Sequence, residues 1–251
     1  MSIHADRIIA VRTNKTLYRD GTTVLKVFGS AYSKVNVFRE ALNQSYVEKC
    51  GLNVPEVLEV VKLDNKWAIR WEYVSGDSIQ QLMDNSPDNC DELTERFIKI
   101  QAEIFSHKCP ELPHMKDVIK EKIAAAPLEK SLKHKLNDYL KHMPEGESIC
   151  HGDFLPVNVV IDKNGKHCIF DWTRVTQGDA AADIAQTYIL LSMRNSVGFA
   201  DKYLKAICEY THISKNAVSA WLAPVAAAYY STCRPAECAE IMTWINYIYN
   251  I

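Results

Sequence analysis

Between Cys150 and Trp172 the chain carries a pattern that few folds accommodate. Cys150-His151-Gly152-Asp153-Phe154-Leu155-Pro156-Val157-Asn158 presents a carboxylate and, five residues on, a carboxamide. Val159-Val160-Ile161, the turn-forming Asp162-Lys163-Asn164-Gly165 and the apolar Cys168-Ile169-Phe170 follow, which is the signature of a β-hairpin. Such a hairpin predicts that Asp171 returns beside the loop holding Asp153 and Asn158. Two oxygen ligands next to a further carboxylate suit a hard divalent cation such as magnesium, which keeps waters and bridges to phosphate oxygens. The remaining carboxylate can orient or deprotonate a hydroxyl. This is the layout that phosphoryl transfer requires.

Composition narrows the alternatives. A chain of 251 residues, 47% hydrophobic and 24% charged, has the make-up of a soluble globular protein with one domain or two lobes. A formal net charge of −2 gives no reason to expect nucleic acid or an anionic membrane as partner. Eight cysteines are scattered without a Cys-x-x-Cys pair, and residues 1–12 show no basic-then-apolar leader. Reduced thiols in a cytoplasmic protein are the expectation. The longest uncharged run, 217–231, contains Pro224 and is too short to span a bilayer comfortably, so it reads as a core helix.

The segment around Asp153 resembles the catalytic loop of the aminoglycoside phosphotransferase and choline kinase family, small-molecule kinases built like protein kinases. Asp171-Trp172 and the downstream Gly178-Asp179-Ala180-Ala181-Ala182-Asp183-Ile184-Ala185 continue the resemblance. It implies a two-lobed α+β fold, with an N-terminal antiparallel sheet plus helix over residues 1–74 and a mainly helical lobe over 75–251. It also implies ATP and Mg2+ as cofactors, with Asp153 as the catalytic carboxylate and Asn158 and Asp171 as metal ligands. Asp162 and Asp179 are the rival ligands by proximity in sequence.

The preceding residues fit that frame. Segments 8–11, 16–19 and 24–28 read as three short strands, the last two joined by Asp20-Gly21. Lys26 in the third strand is either a solvated strand lysine or, by the resemblance, the lysine that grips the phosphates. Residues 35–49 have helical spacing of apolar residues at 35, 38, 42 and 46. Within that helix Glu40 resembles the glutamate that pairs with the lysine, with Glu48 the rival. Strands follow at 57–61 and 67–74, and Glu72-Tyr73-Val74-Ser75-Gly76 resembles the hinge, where the backbone of Glu72 and Val74 would hold adenine. The turn Val11-Arg12-Thr13-Asn14-Lys15 departs from the family in having no glycine, and glycine is what lets backbone amides approach phosphate closely. It implies a lid of different shape that uses hydroxyl or basic side chains.

Helices are expected at 78–84, 91–107, 115–125 and 128–143, then at 180–193, 199–210, 215–230 and 235–250. Leu93, Phe97, Ile100 and Ile104 form an apolar core stripe within the second of these. The acceptor is expected to be a small-molecule hydroxyl compound. Trp221, Tyr229, Tyr230, Trp244, Tyr247 and Tyr249, with Glu237 and Glu240 close by, favour an amino alcohol or amino sugar through cation–π contacts and carboxylates. A neutral sugar, a homoserine-like acceptor or a nucleotide-binding pseudokinase are the alternatives, and a divalent-metal hydrolase is a more distant one. Oligomeric state is not readable from the sequence.

Overall fold

The computed structural model describes residues 7–12, 14–194 and 197–249, the side chain of Arg12 excepted. Thr13, in the glycine-free turn, and Asn250, at the end of the last expected helix, lie outside the described residues. In chain order the elements begin with β1 (Arg7–Arg12), β2 (Lys15–Asp20), β3 (Thr23–Phe28), α1 (Lys34–Lys49), β4 (Val57–Leu63), β5 (Lys66–Glu72), β6 (Asp77–Ser78) and α2 (Ile79–Asn85). Then come α3 (Cys90–Phe105), α4 (Met115–Ala125), α5 (Lys130–His142), β7 (Ser148–Cys150), β8 (Val159–Ile161), β9 (His167–Ile169) and β10 (Thr176–Gly178). Helices α6 (Ala180–Arg194), α7 (Val197–Thr211), α8 (Lys215–Tyr230) and α9 (Cys238–Asn246) complete the chain.

Two compact units result: the chain up to Leu82 together with Val157–Thr173, and Met83–Pro156 together with Arg174–Ile251. The sequence reading draws one boundary after residue 74. In the structure the β8–β9 hairpin groups with the N-terminal sheet and not with the helices around it in sequence.

In the first unit, among the described residues, five strands form an antiparallel sheet in the order β1–β2–β3–β5–β4. Two tight turns explain its register. Gly21 takes a left-handed φ of +57° between β2 and β3. Asp64 and Asn65, both at positive φ, join β4 to β5 in the primed-turn conformation whose twist matches the strands. This second turn extends β4 to Leu63 and starts β5 at Lys66, beyond the expected strand ends. Residues 77–78, read from sequence as a turn and helix start, instead pair with β8 as the short strand β6.

Helix α1 inverts its apparent amphipathicity. Val35 (63% exposed) and Leu42 (50%) face outward, while Glu40, Asn43 and Gln44 are buried with Val37, Ala41 and Val47. Two of the inward polar groups have partners on the sheet side: Gln44 Nε2 donates to the Pro55 carbonyl at 2.6 Å and Glu40 meets Lys26. A helix whose buried face must carry an ion pair has less room there for apolar residues.

The second unit is helical around a two-stranded β7–β10 ribbon in which Cys150 opposes Thr176. Its core includes Phe97, Ile104, Trp221 and Tyr203, and α8 is buried along most of its length as expected of a core helix. On α3 the buried stripe is Thr94, Phe97, Ile98, Ile100, Gln101 and Ile104, with Leu93 only half-buried. Among the described residues no helix is long and apolar enough to cross a membrane.

Candidate active site

In the first unit the site is built on β3, α1 and the β8–β9 hairpin. Lys26 points inward from β3, only 5% exposed, and pairs with Glu40. Burying a charge is tolerable when the opposite charge is supplied next to it. Burial works against the Lys26 ammonium, but Asp171 and Glu40 more than offset it and hold its pKa above the usual lysine value. Glu48, the rival, accepts the Val57 backbone amide at 2.8 Å. It therefore fastens the end of α1 to β4.

Asp171 follows β9 directly. Its Oδ1 lies 3.8 Å from Lys26 Nζ and accepts a 2.6 Å hydrogen bond from Thr173 Oγ1, and its side chain is 41% exposed. It adopts a left-handed φ of +65°, which Asp tolerates better than most residues and which clusters at functional positions. Phe170 N donates to the Asn158 carbonyl at 2.8 Å, so the residue before Asp171 is tied to Asn158. The buried Trp172 anchors the turn through Nε1 to the Ile169 carbonyl. Asn158 and Asp171 are thus brought together by backbone pairing, as the hairpin signature predicts.

Both rival ligands are engaged elsewhere. Asp162 Oδ1 accepts the amides of Asn164 and Lys166 at 2.8 Å, closing the hairpin turn. Asp179 starts α6, accepting the Ala181 amide and the Trp221 indole, both at 2.9 Å. Glu72, Tyr73, Val74 and Ser75, which resemble a hinge in sequence, line an open groove of about 400 Å3 with Asn53 and the β8–β9 turn. The Tyr73 amide is used on the Thr22 carbonyl at 2.9 Å, and the Glu72 amide on Glu56 at 3.1 Å.

In the second unit the loop after β7 carries Asp153, and its backbone is pinned at Gly152. The Gly152 amide donates to Asp183 Oδ1 at 2.7 Å, and its carbonyl accepts from Gln186 Nε2 at 2.5 Å. Gly152 sits at φ +76°, and a Cβ there would lie 2.6 Å from the Arg174 carbonyl oxygen, so only glycine fits. Burial raises the Asp183 pKa, while the hydrogen bond from Gly152 opposes it. Gln101 donates to Asp183 Oδ2 at 3.2 Å and accepts from Tyr203. His151 is fully buried, accepts the Asp153 amide on Nδ1 at 3.1 Å and packs edge-to-face on Phe154. It is a loop-forming histidine. The Asp153 carboxylate, 17% exposed, has Arg194 Nη1 3.7 Å from Oδ1.

A phosphotransferase enzyme family model matches residues 10–215, most of the chain and both units. The chain belongs to that family. No curated protein matches it. Among solved structures, aminoglycoside phosphotransferase APH(4)-Ia matches with a TM-score of 0.70 at 14% identity, covering 97% of this chain and 92% of that one. A variant of that enzyme in ternary complex with ADP and hygromycin B gives 0.69 at 14% identity, with the same coverage. Choline kinase LicA from Streptococcus pneumoniae gives 0.66 at 12% identity, covering 100% and 95%. At these identities the likeness is one of fold, the kinase-like α+β fold, and family membership makes the chain a small-molecule phosphotransferase.

In each unit, further residues stand beside the predicted ones. Lys15 Nζ lies 3.7 Å from Glu40 Oε2, so Glu40 stands between two lysines. Burial, then the charge of Lys26, lowers the Lys15 pKa. Its position directly after the glycine-free turn was the available signal. Asp183 lies in the segment 178–185 that carries the resemblance, with no role assigned to it there, and Gln101 is legible only as a polar residue at a core position of a helix. Lys122, Arg174 and Arg194 had no motif.

Among the late aromatics and acids, Trp221, Trp244, Glu237 and Tyr249 already have partners within the chain. Trp221 is buried on Asp179, and Trp244 packs edge-to-face on Tyr188 at 5.5 Å. Glu237 is held by Arg234, whose Nε donates at 2.9 Å, and Tyr249 already carries Lys135 over its ring at 4.3 Å.

Proposed function

We propose that this phosphotransferase moves the γ-phosphoryl group of ATP, with magnesium, to a hydroxyl of a small molecule. One observation carries the reading: the buried Lys26–Glu40 pair with Asp171 3.8 Å from the same ammonium. A buried lysine held charged is a fixed cation for phosphate oxygens. Lys15, beside Glu40, adds a second cation next to the glycine-free turn and takes over part of what a glycine-rich loop does with amides.

The residues present fit magnesium. Asn158 and Asp171 supply hard oxygen donors joined through the Phe170–Asn158 backbone bond, and the Asp171 carboxylate is accessible. When bound, the ion supplies charge neutralisation for the phosphates. Asp171 and Asn158 would hold it, Lys26 would grip the phosphates in the orientation Glu40 sets, and the backbone of Glu72 and Val74 would hold the adenine edge. Asp153 would accept a hydrogen bond from the acceptor hydroxyl and take its proton as the oxygen attacks. The pinned Gly152 backbone fixes where that carboxylate stands. Eight free cysteines fit a reducing, cytoplasmic setting.

The test is nucleotide binding by thermal shift, followed by ATP consumption against a panel of alcohols. Stabilisation by ATP that requires magnesium, with acceptor-dependent ADP release, is expected. Stabilisation that ignores magnesium, or ADP release that ignores the acceptor, contradicts the reading.

A further inference from the structure

We propose that the acceptor is an anion: beside the hydroxyl it carries a carboxylate or phosphate group, received by Lys122 and Arg174 with Arg194 at the margin. This rests on the phosphotransferase reading and deepens it by naming the substrate class.

The second unit holds a cavity next to the catalytic loop, lined by Lys122, Gly152, Arg174, Gln186 and Tyr229, with Met115 and other apolar residues behind them. It measures about 30 Å3, on a scale where one water needs about 10–15 Å3. That admits a compact group such as a carboxylate and not the ring of an amino sugar.

The charged residues that line it, Lys122 and Arg174, are both cations. Lys122 is half-buried on α4, and burial and then the positive charge of Arg174 push its pKa down to about 8, with Asp153 pulling the other way. Arg174 lies over the Tyr229 ring at 5.1 Å, and Arg194 Nη2 donates to the Tyr229 hydroxyl at 3.1 Å. Arg194 and Lys122 thus both face the Asp153 carboxylate, and Arg174 stands beside Lys122. The next acid, Glu237, is already held by Arg234 and by the Tyr229 hydroxyl at 3.3 Å.

Gathering like charges in a partly buried place is unfavourable unless something of opposite sign offsets it, and such perturbed groups concentrate at functional sites. Asp153 can offset one of the three. An anionic group in the cavity would offset the rest and receive charge-assisted hydrogen bonds, with the guanidinium fork suited to carboxylate or phosphate. An amine acceptor would meet repulsion at the same place.

The experiment compares matched hydroxy compounds on one carbon skeleton: glycerate, glycerol 3-phosphate, glycerol and 3-amino-1,2-propanediol. Larger hydroxy acids, sugar phosphates, neutral sugars and amino sugars are added. Direct binding is measured by calorimetry without nucleotide, and turnover by product mass. Anions should bind about tenfold or more tighter than their neutral and amine counterparts. Lys122→Met and Arg174→Gln should each remove most of that preference, and for a turned-over anion should raise KM far more than they lower kcat. Preference for a neutral or amine compound, or anion binding unchanged in both variants, overturns the proposal. The wild-type comparison stands even if a variant fails to fold. Selective anion binding without any ATP-dependent transfer would support the anion site and count against the phosphotransferase reading instead.

Discussion

Asp171 Oδ1 stands 3.8 Å from the ammonium of Lys26, which is itself paired with Glu40 inside the N-terminal unit. One buried cation is thus shared by a structural carboxylate and an accessible one. Removing Lys26 alone leaves Glu40 as a buried charge with only Lys15 nearby, so Lys26→Met should cost about 3–5 kcal/mol of stability. The double variant Lys26→Met/Glu40→Leu should regain most of that stability while remaining inactive. Thermal denaturation and turnover of the three proteins check this. A double variant no more stable than Lys26→Met would show that the pair is not what destabilises the single one.

Asp171→Ala should weaken magnesium-dependent nucleotide binding together with turnover, because the proposed metal ligand is lost. Asp162→Asn should do neither, since that carboxylate closes the hairpin turn through two backbone amides. Nucleotide titration with and without magnesium distinguishes the two. Equal losses in both variants would reassign the ligand.

Gly152→Ala introduces a Cβ 2.6 Å from the Arg174 carbonyl and a left-handed alanine. A destabilisation of about 1–3 kcal/mol is expected. Turnover should fall by more than the folded fraction does, because the displaced backbone carries Asp153. Tm and kcat measured on the same preparation check it, and unchanged kcat would detach the loop geometry from catalysis.

Acceptor affinity should depend on pH through Lys122. Its pKa near 8 means that the side chain is charged below that value and neutral above it. Anion affinity is therefore present at lower pH and is lost as pH rises through about 8. Burial keeps the Tyr229 hydroxyl protonated above its usual range. Folding stability moves the other way: between about 8 and 10.5 the unfolded chain binds the extra proton, so raising pH favours the folded state. A KM profile for an anionic acceptor checks the first claim, with Lys122→Met expected to flatten it.

Much of this was legible because the chemistry is local in sequence. The hairpin that joins Asn158 to Asp171 is written in one apolar–turn–apolar stretch, and Glu40 precedes the end of its helix by enough to face Lys26. What was not legible depends on long-range packing. Val35 and Leu42 follow helical spacing yet face outward, because the ion pair occupies the inner face of α1. The Gly152–Asp183 bond links residues 31 apart in sequence, so the segment 178–185 alone does not show what Asp183 holds. Lys122 and Arg174 meet only because α4 and the segment after Asp171 pack around one cavity.

The central claim is γ-phosphoryl transfer to a hydroxyl positioned by Asp153. Its most direct measurement uses ATP labelled with heavy oxygen in the γ-phosphoryl group, with magnesium and the acceptor panel, and follows the label by mass. The account predicts a labelled phosphate monoester of one acceptor class, its rate lowered about a hundredfold or more in Asp153→Ala with nucleotide binding retained. Label found only in inorganic phosphate, or a monoester formed equally fast by Asp153→Ala, would contradict it.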